Sequence, residues 1–255
     1  MNTQMKLTDP WLLRFGGASA PLRLICFAYA GGHGGIFSPW RFELASVAET
    51  IGFQLPGRGT RFAEPLLHSF DAVIDAAVQA IVADDDRPCA LFGHSLGGWL
   101  AFETTRRLVC EGHTPPVHLF VSGCQSPRGA EPVAALHLLP QEELIERLRD
   151  FNGTPPQALE HAGLMGMMLP VLRADFALVH DYRYRPGPPL NVPLTILGGR
   201  ADGTTAPDAV GRWAQETTAA TRVVWTEGDH FFINSHRDVV LREIQRDLDR
   251  HAVLT

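Results

Sequence analysis

Short uninterrupted apolar runs alternate along this chain with stretches in which apolar residues recur every three or four positions. The runs at 22–29 (LRLICFAY), 50–55 (TIGFQL), 89–93 (CALFG), 117–123 (VHLFVSG), 192–199 (VPLTILGG) and 221–228 (TRVVWTEG) predict strands. Between them, 39–49, 69–85, 96–112, 207–217 and 236–250 predict helices. In 69–85 the apolar positions are 70, 73, 74, 77, 78, 81 and 82, a helical spacing, and Ser69 stands where an N-cap would. Strands that are apolar on both faces and separated by helices imply an α/β protein with a mostly parallel sheet covered on both sides.

The rhythm breaks at 125–185. This segment holds LPQEELIERLRDF and GLMGMMLPVLRADFALVHDYRY, both helical in pattern, with no convincing strand. It reads as a helical lid inserted at the strand ends, with 1–124 and 186–255 forming the core. A long crossover with extra helices is the plainer alternative.

Length and charge narrow the function. At 255 residues the chain suits one substantial core. Its 22 basic and 28 acidic side chains give a formal charge of −6, which disfavours a general nucleic-acid binder. The N-terminal MNTQMKLTDPWLLRF lacks a continuous apolar run with a cleavage site, so neither a leader nor a membrane span is expected. Cys26, Cys89, Cys110 and Cys124 form no CxxC pair and are expected as buried free thiols of a cytoplasmic protein. The 11 histidines include no H-E-x-x-H, so no metal site and no cofactor are expected. A monomer is the default expectation.

The most specific local signal is Gly93-His94-Ser95-Leu96-Gly97, a G-x-S-x-G placed between a buried strand and an apolar helix. A serine in that sharp turn projects its hydroxyl above the sheet, beside the positive end of a helix. An ordinary tight turn that happens to contain serine is the plainer reading. Serine needs a base to act as a nucleophile. In enzymes built on this turn, the acid and then the histidine follow it in the chain. Asp202, after the run at 192–199, and His230, after the run at 221–228, fit those places. Asp229, Asp208 and His236 are rivals, and His94 suits a packing or polar-network role better than that of a second base. AGGHGG (30–35) follows the first strand without the spacing or the lysine of a phosphate loop. Acyl transfer from a serine requires two backbone N–H groups aimed at the carbonyl oxygen; Leu96 and Ala30 are expected to supply them, and His33 to fill the loop surface.

The segments CFAYAGGHGGIFSPW, QLPGRGTRFAEP, GHSLGGWLAFE, TPP (154–156), LRADF (172–176) and GDHFFI resemble the type II thioesterases that accompany polyketide and nonribosomal peptide synthetases. The resemblance runs from about Trp11 to the last helix. Ala28 stands where that family often has proline, and His33-Gly34-Gly35 where it often has serine or alanine. What the resemblance implies is an α/β-hydrolase fold and an editing thioesterase that removes acyl groups from the phosphopantetheine arm of acyl or peptidyl carrier proteins. Ser95, Asp202 and His230 would form its triad, Ala30 and Leu96 its oxyanion hole. Met165 and Met168 are candidates for an adaptable acyl pocket, or equally for lid core. Arg58 and Arg61 are candidates for carrier docking, or for pinning their loop through Glu64. A serine esterase or acyltransferase on small esters, and a non-catalytic binding protein on the same scaffold, are the alternatives.

Overall fold

Every position of strand β2 (Leu22–Phe27) is buried, and its side chains divide by the two-residue period of a strand. Leu22, Leu24 and Cys26 enter one apolar cluster, Ile25 and Phe27 another on the opposite face. β4 (Cys89–His94) divides the same way, with Cys89 and Leu91 on one side and Ala90 and Phe92 on the other. A strand that feeds two cores must be apolar throughout, which is why these runs carry no polar alternation. The computed structural model describes residues 9–16, 19–128 and 133–252; the first eight residues, where no leader is expected, lie outside them.

Within those residues a seven-stranded sheet runs in the order β1-β3-β2-β4-β5-β6-β7. The remaining strands are β1 (Leu12–Phe15), β3 (Ala48–Phe53), β5 (His118–Ser122), β6 (Leu194–Gly199) and β7 (Thr221–Thr226). Every neighbouring pair is parallel except β1 on β3. One face is covered by α1 (Phe70–Ala83) and α2 (Leu96–Cys110). The other is covered by a 3₁₀ helix (Gly34–Arg41), through Phe37 and Trp40, and by α8 (Arg237–Ala252), through Val240, Leu241, Ile244 and Leu248. Each large side chain buried in these clusters contributes about 1.5–3 kcal/mol. The sheet and its helices form the α/β-hydrolase fold.

Between β5 and β6 come α3 (Gln141–Phe151), α4 (Pro156–Glu160) and α5 (Ala162–Asp181). Leu144, Leu148, Leu159, Met165, Leu169 and Leu172 give this segment an apolar cluster of its own. α5 has, by length and composition alone, the apolarity to cross a bilayer. After β6 follow α6 (Pro207–Gly211) and a 3₁₀ turn, and α7 (Phe232–Ser235) follows β7.

Ser69 caps α1, its hydroxyl accepting from Ala72 N–H at 3.3 Å, as the sequence predicts. Other expectations change. The helix expected over 39–49 is replaced by the 3₁₀ helix, which starts at Gly34 under the His33 side chain, and β3 already begins at Ala48. β1 is a strand that the apolar pattern does not predict. Cys26, Cys89 and Cys124 are buried, but Cys110, the last residue of α2, is exposed.

Candidate active site

A parallel sheet delivers its loops to one edge, and the C-terminal ends of β2, β4, β6 and β7 carry Ala30, Ser95, Asp202 and His230 there. Ser95 lies between β4 and α2 with φ 56° and ψ −121°, a region that an L residue adopts only under constraint. Its N–H is held by Ser122 O at 2.8 Å, and its carbonyl takes Gly98 N–H at 2.9 Å. The flanking glycines are steric necessities. A Cβ on Gly93 would sit 1.9 Å from Gly97 O, and one on Gly97 would sit 2.1 Å from Phe27 O.

His230 Nε2 lies 3.1 Å from Ser95 Oγ, and its Nδ1 lies 2.9 Å from Asp202 Oδ2. Thr204 supports the acid. Its hydroxyl and its N–H donate to Asp202 Oδ1 at 2.6 and 2.9 Å, while Thr205 Oγ1 donates to Oδ2 at 3.0 Å. The Thr204 oxygen also lies 2.9 Å from His230 Nδ1. Burial works against the charge on Asp202, but the bonds from His230 and Thr204 win and hold its pKa down to about 2. The only sequence hint of Thr204 is its place two residues after an aspartate in a loop, the position of an Asx turn.

The rivals are occupied elsewhere. Asp229 accepts Phe231 N–H at one oxygen and Asn152 Nδ2 at the other, both at 2.9 Å. Asp208 lies in the first turn of α6. His236 pairs with Ser235 Oγ. His94 is fully buried; its Nε2 donates to the His230 carbonyl at 2.9 Å, so its Nδ1 is the acceptor for Ser122 Oγ–H. Burial, followed by the proximity of His230, pushes its pKa down to about 3. His33 Nδ1 accepts Gly35 N–H and caps the 3₁₀ helix.

Among the described residues no acceptor takes the N–H of Ala30 or Leu96. Both residues line a cavity of about 470 Å³ that also reaches Ser95 and His230. Its walls are mostly apolar: Trp99 from α2, with Leu148, Phe151, Met168, Leu172 and Phe176 from the helical segment. Met168 therefore faces the cavity. Met165 does not; it is 2% exposed in the cluster within the helical segment.

Arg58 and Arg61 are buried with their donors engaged. Arg58 binds both oxygens of Asp175 in α5, at 2.5 and 2.8 Å. Arg61 reaches Glu64 with two nitrogens, donates to Gln54 O at 3.0 Å, and stacks 3.8 Å above the Trp11 ring. Among the described residues no cluster of three or more His, Cys, Asp or Glu is placed to hold a metal ion.

Comparison with known proteins adds four findings. The model of the thioesterase domain family matches residues 22–248. LgrE of Brevibacillus parabrevis, named a linear gramicidin dehydrogenase, is 36% identical over 239 residues, which are 92% of this chain and 91% of that protein. The gramicidin S biosynthesis protein GrsT of Aneurinibacillus migulanus is 36% identical over 216 residues, 85% and 84% of the two chains. Among solved structures, the type II thioesterase BorB from the borrelidin biosynthetic cluster aligns with a TM-score of 0.86 at 34% identity, over 94% of this chain and 98% of that one.

Proposed function

This chain belongs to the thioesterase domain family and is a hydrolase acting on thioesters, and we propose that it edits carrier proteins, releasing acyl groups from their phosphopantetheine arm through an acyl-enzyme on Ser95. The observation that carries the reading is the run of hydrogen-bond distances from Ser95 Oγ through His230 to Asp202, 3.1 and 2.9 Å, on the floor of an apolar cavity.

In the proposed mechanism Ser95 Oγ attacks the thioester carbonyl carbon as its proton passes to His230 Nε2. The N–H groups of Ala30 and Leu96 donate to the carbonyl oxygen and stabilise the charge that develops there; one such donor is worth about 3–4 kcal/mol in the transition state. The carbon–sulfur bond then breaks, and the imidazolium returns the proton to the departing thiolate. Water attacks the ester on Ser95, His230 takes its proton, and the carboxylic acid leaves with Ser95 restored. Asp202, held ionised by its bonds from His230 and Thr204, keeps the proton of His230 on Nδ1 and stabilises the imidazolium.

The helices between β5 and β6 act in this reading as a lid that walls the acyl cavity. A carrier protein offers the long pantetheine arm that such a covered site requires. The dehydrogenase in the name of LgrE finds no support in the loop after β2, which lacks the G-x-G-x-x-G spacing of a dinucleotide site.

The test is hydrolysis of acyl-carrier and acyl-pantetheine substrates beside p-nitrophenyl esters, with Ser95→Ala as control. Carrier-bound acyl groups should be preferred, and a fluorophosphonate should label wild-type protein at Ser95 alone. Equal rates on small esters and carrier thioesters would favour the esterase alternative, and an unlabelled Ser95 would end the nucleophile assignment.

A further inference from the structure

Residues 29–32 form the turn that presents Ala30 to the cavity. Gly32 N–H closes it on Tyr29 O at 2.8 Å, and Gly31 sits at φ +80°, the pattern of a type II turn with glycine in its third position. Type I and type II turns differ by rotation of the middle peptide, here Ala30–Gly31. In the type II form the Gly31 N–H points out of the turn, and a buried N–H needs an acceptor. That acceptor is Asp175 Oδ2, 2.7 Å away on α5.

Asp175 is 1% exposed and comes from a helix 144 residues further along the chain. Its carboxylate is held by both terminal nitrogens of Arg58, and Arg58 also donates to Gly32 O at 3.3 Å. Leu172, one turn earlier on α5, packs against the other side of Gly31, where a Cβ would lie 2.6 Å from its Cδ2. The Gly31 peptide is thus fixed from one direction by a charge and from another by an apolar wall.

We propose that Asp175 is a positioning residue for the reaction: by accepting Gly31 N–H it fixes the Ala30–Gly31 peptide, and with it the position from which Ala30 presents its own N–H to the oxyanion. Arg58 serves by holding the carboxylate in place. Leu172 and Phe176, on either side of Asp175 in sequence, line the cavity, so the helix that sets the turn is also the one that meets the acyl group. The inference rests on the serine mechanism proposed above.

Removing Asp175 alone would strand a buried guanidinium and destabilise the fold, so the test compares two neutral pairs, Arg58→Met/Asp175→Asn and Arg58→Met/Asp175→Leu. Both lose the ion pair and the Arg58 bond to Gly32, but only the asparagine keeps an oxygen for Gly31 N–H. On acyl-pantetheine the asparagine pair should turn over within about threefold of wild type. The leucine pair should lose about 10- to 100-fold in kcat with KM within twofold, since a displaced donor acts on the transition state. Affinity for an alkylboronate, which forms a tetrahedral adduct on serine, should fall in the same proportion as kcat. Equal kcat in the two pairs, or a loss confined to KM, would overturn the proposal. If the leucine pair does not fold, the asparagine pair decides: a Gly31 amide protected from exchange beside near-wild-type kcat supports it, and a protected amide beside collapsed kcat overturns it. A wild-type protein that binds no boronate at Ser95 would instead bring down the serine mechanism itself.

Discussion

His94, the residue before Ser95, donates its Nε2 hydrogen to the backbone carbonyl of His230 at 2.9 Å. The strand that carries the proposed nucleophile thus holds the loop that carries the proposed base. The His94 Nδ1 accepts Ser122 Oγ–H, which only the neutral ring can do, and burial keeps the ring neutral by lowering its pKa from 6.5 to about 3. A depressed histidine pKa means the unfolded chain takes up a proton that the folded chain refuses. The stability from this group is therefore full above pH 6.5 and drains away as pH falls toward 3, by about 1.4 kcal/mol per unit. His94→Phe removes this slope together with the hydrogen bond. Melting curves from pH 7 to 4.5 should show the variant less stable at pH 7 and closing on wild type as the solution is acidified. Parallel curves would contradict the assignment.

The second expectation concerns the acid. Because Asp202 is held down to about 2, it stays ionised throughout any practical assay range. The acid limb of a pH–rate profile should then carry no contribution from Asp202. Asp202→Asn keeps the shape but favours the wrong tautomer, and kcat should fall by about 10⁴, as for equivalent serine triads. A loss below tenfold would point to another acid, with Asp229 the first to examine.

Which features could be read from the sequence follows from how locally each is determined. Continuous apolar strands are legible because both faces of β2 and β4 are buried, and each strand announces itself without reference to its partners. The elbow is legible for the same reason: Gly93 and Gly97 are demanded by contacts within a few residues or with the adjacent strand. β1 is not, because its short LLRF pairs on one edge only and carries no unbroken run. The 34–41 helix is hidden by its start at two glycines, where propensity opposes a helix and the His33 cap supports it. Met165 and Met168 differ by a single helical turn, and the boundary between internal cluster and cavity wall passes between them. Asp175 stands out in LRADF, but its partners Arg58 and Gly31 are more than a hundred residues away, and nothing local to either names the other.

Met168 gives a test of the acyl wall. Replacing it with tryptophan fills space at the cavity lining while the side chain remains apolar. Relative rates on acetyl, butyryl and octanoyl thioesters should shift toward the short chains, with the octanoyl-to-acetyl ratio falling about tenfold or more. Unchanged ratios would place the acyl chain elsewhere.

Arg61 separates its two possible roles cleanly. It is buried, it meets Glu64 with two nitrogens, and it covers the Trp11 ring. Lysine can reproduce neither the fork nor the stacked plane. Arg61→Lys should lower the melting temperature by about 5 °C while leaving the rate on carrier-bound acyl groups, at a temperature where both proteins are folded, within twofold. A stable variant with a raised KM for the carrier but not for free acyl-pantetheine would restore the docking role.

The last expectation follows from what the cavity lacks. Among the described residues its lining contains no aspartate, glutamate, lysine or arginine. The Asp202 carboxylate is close by, but its oxygens are engaged by His230, Thr204 and Thr205. An aminoacyl thioester brings an ammonium group next to the reacting carbonyl, and in this cavity that charge would lose its water without gaining a counter-ion. Desolvating an unpaired charge is unfavourable by several kcal/mol, so the group would have to shed its proton or stay out. An apolar acyl chain of the same size faces no such penalty and gains from contact with Phe151, Met168 and Phe176. Butyryl-carrier should therefore be hydrolysed with kcat/KM at least about 100-fold above that of 2-aminobutyryl-carrier near neutral pH. N-acetylation of the aminoacyl group, which removes the charge and adds bulk, should recover most of the difference. If the free amine is hydrolysed as fast as the butyryl group, the acyl chain does not enter this cavity, and the apolar wall serves the helical segment alone.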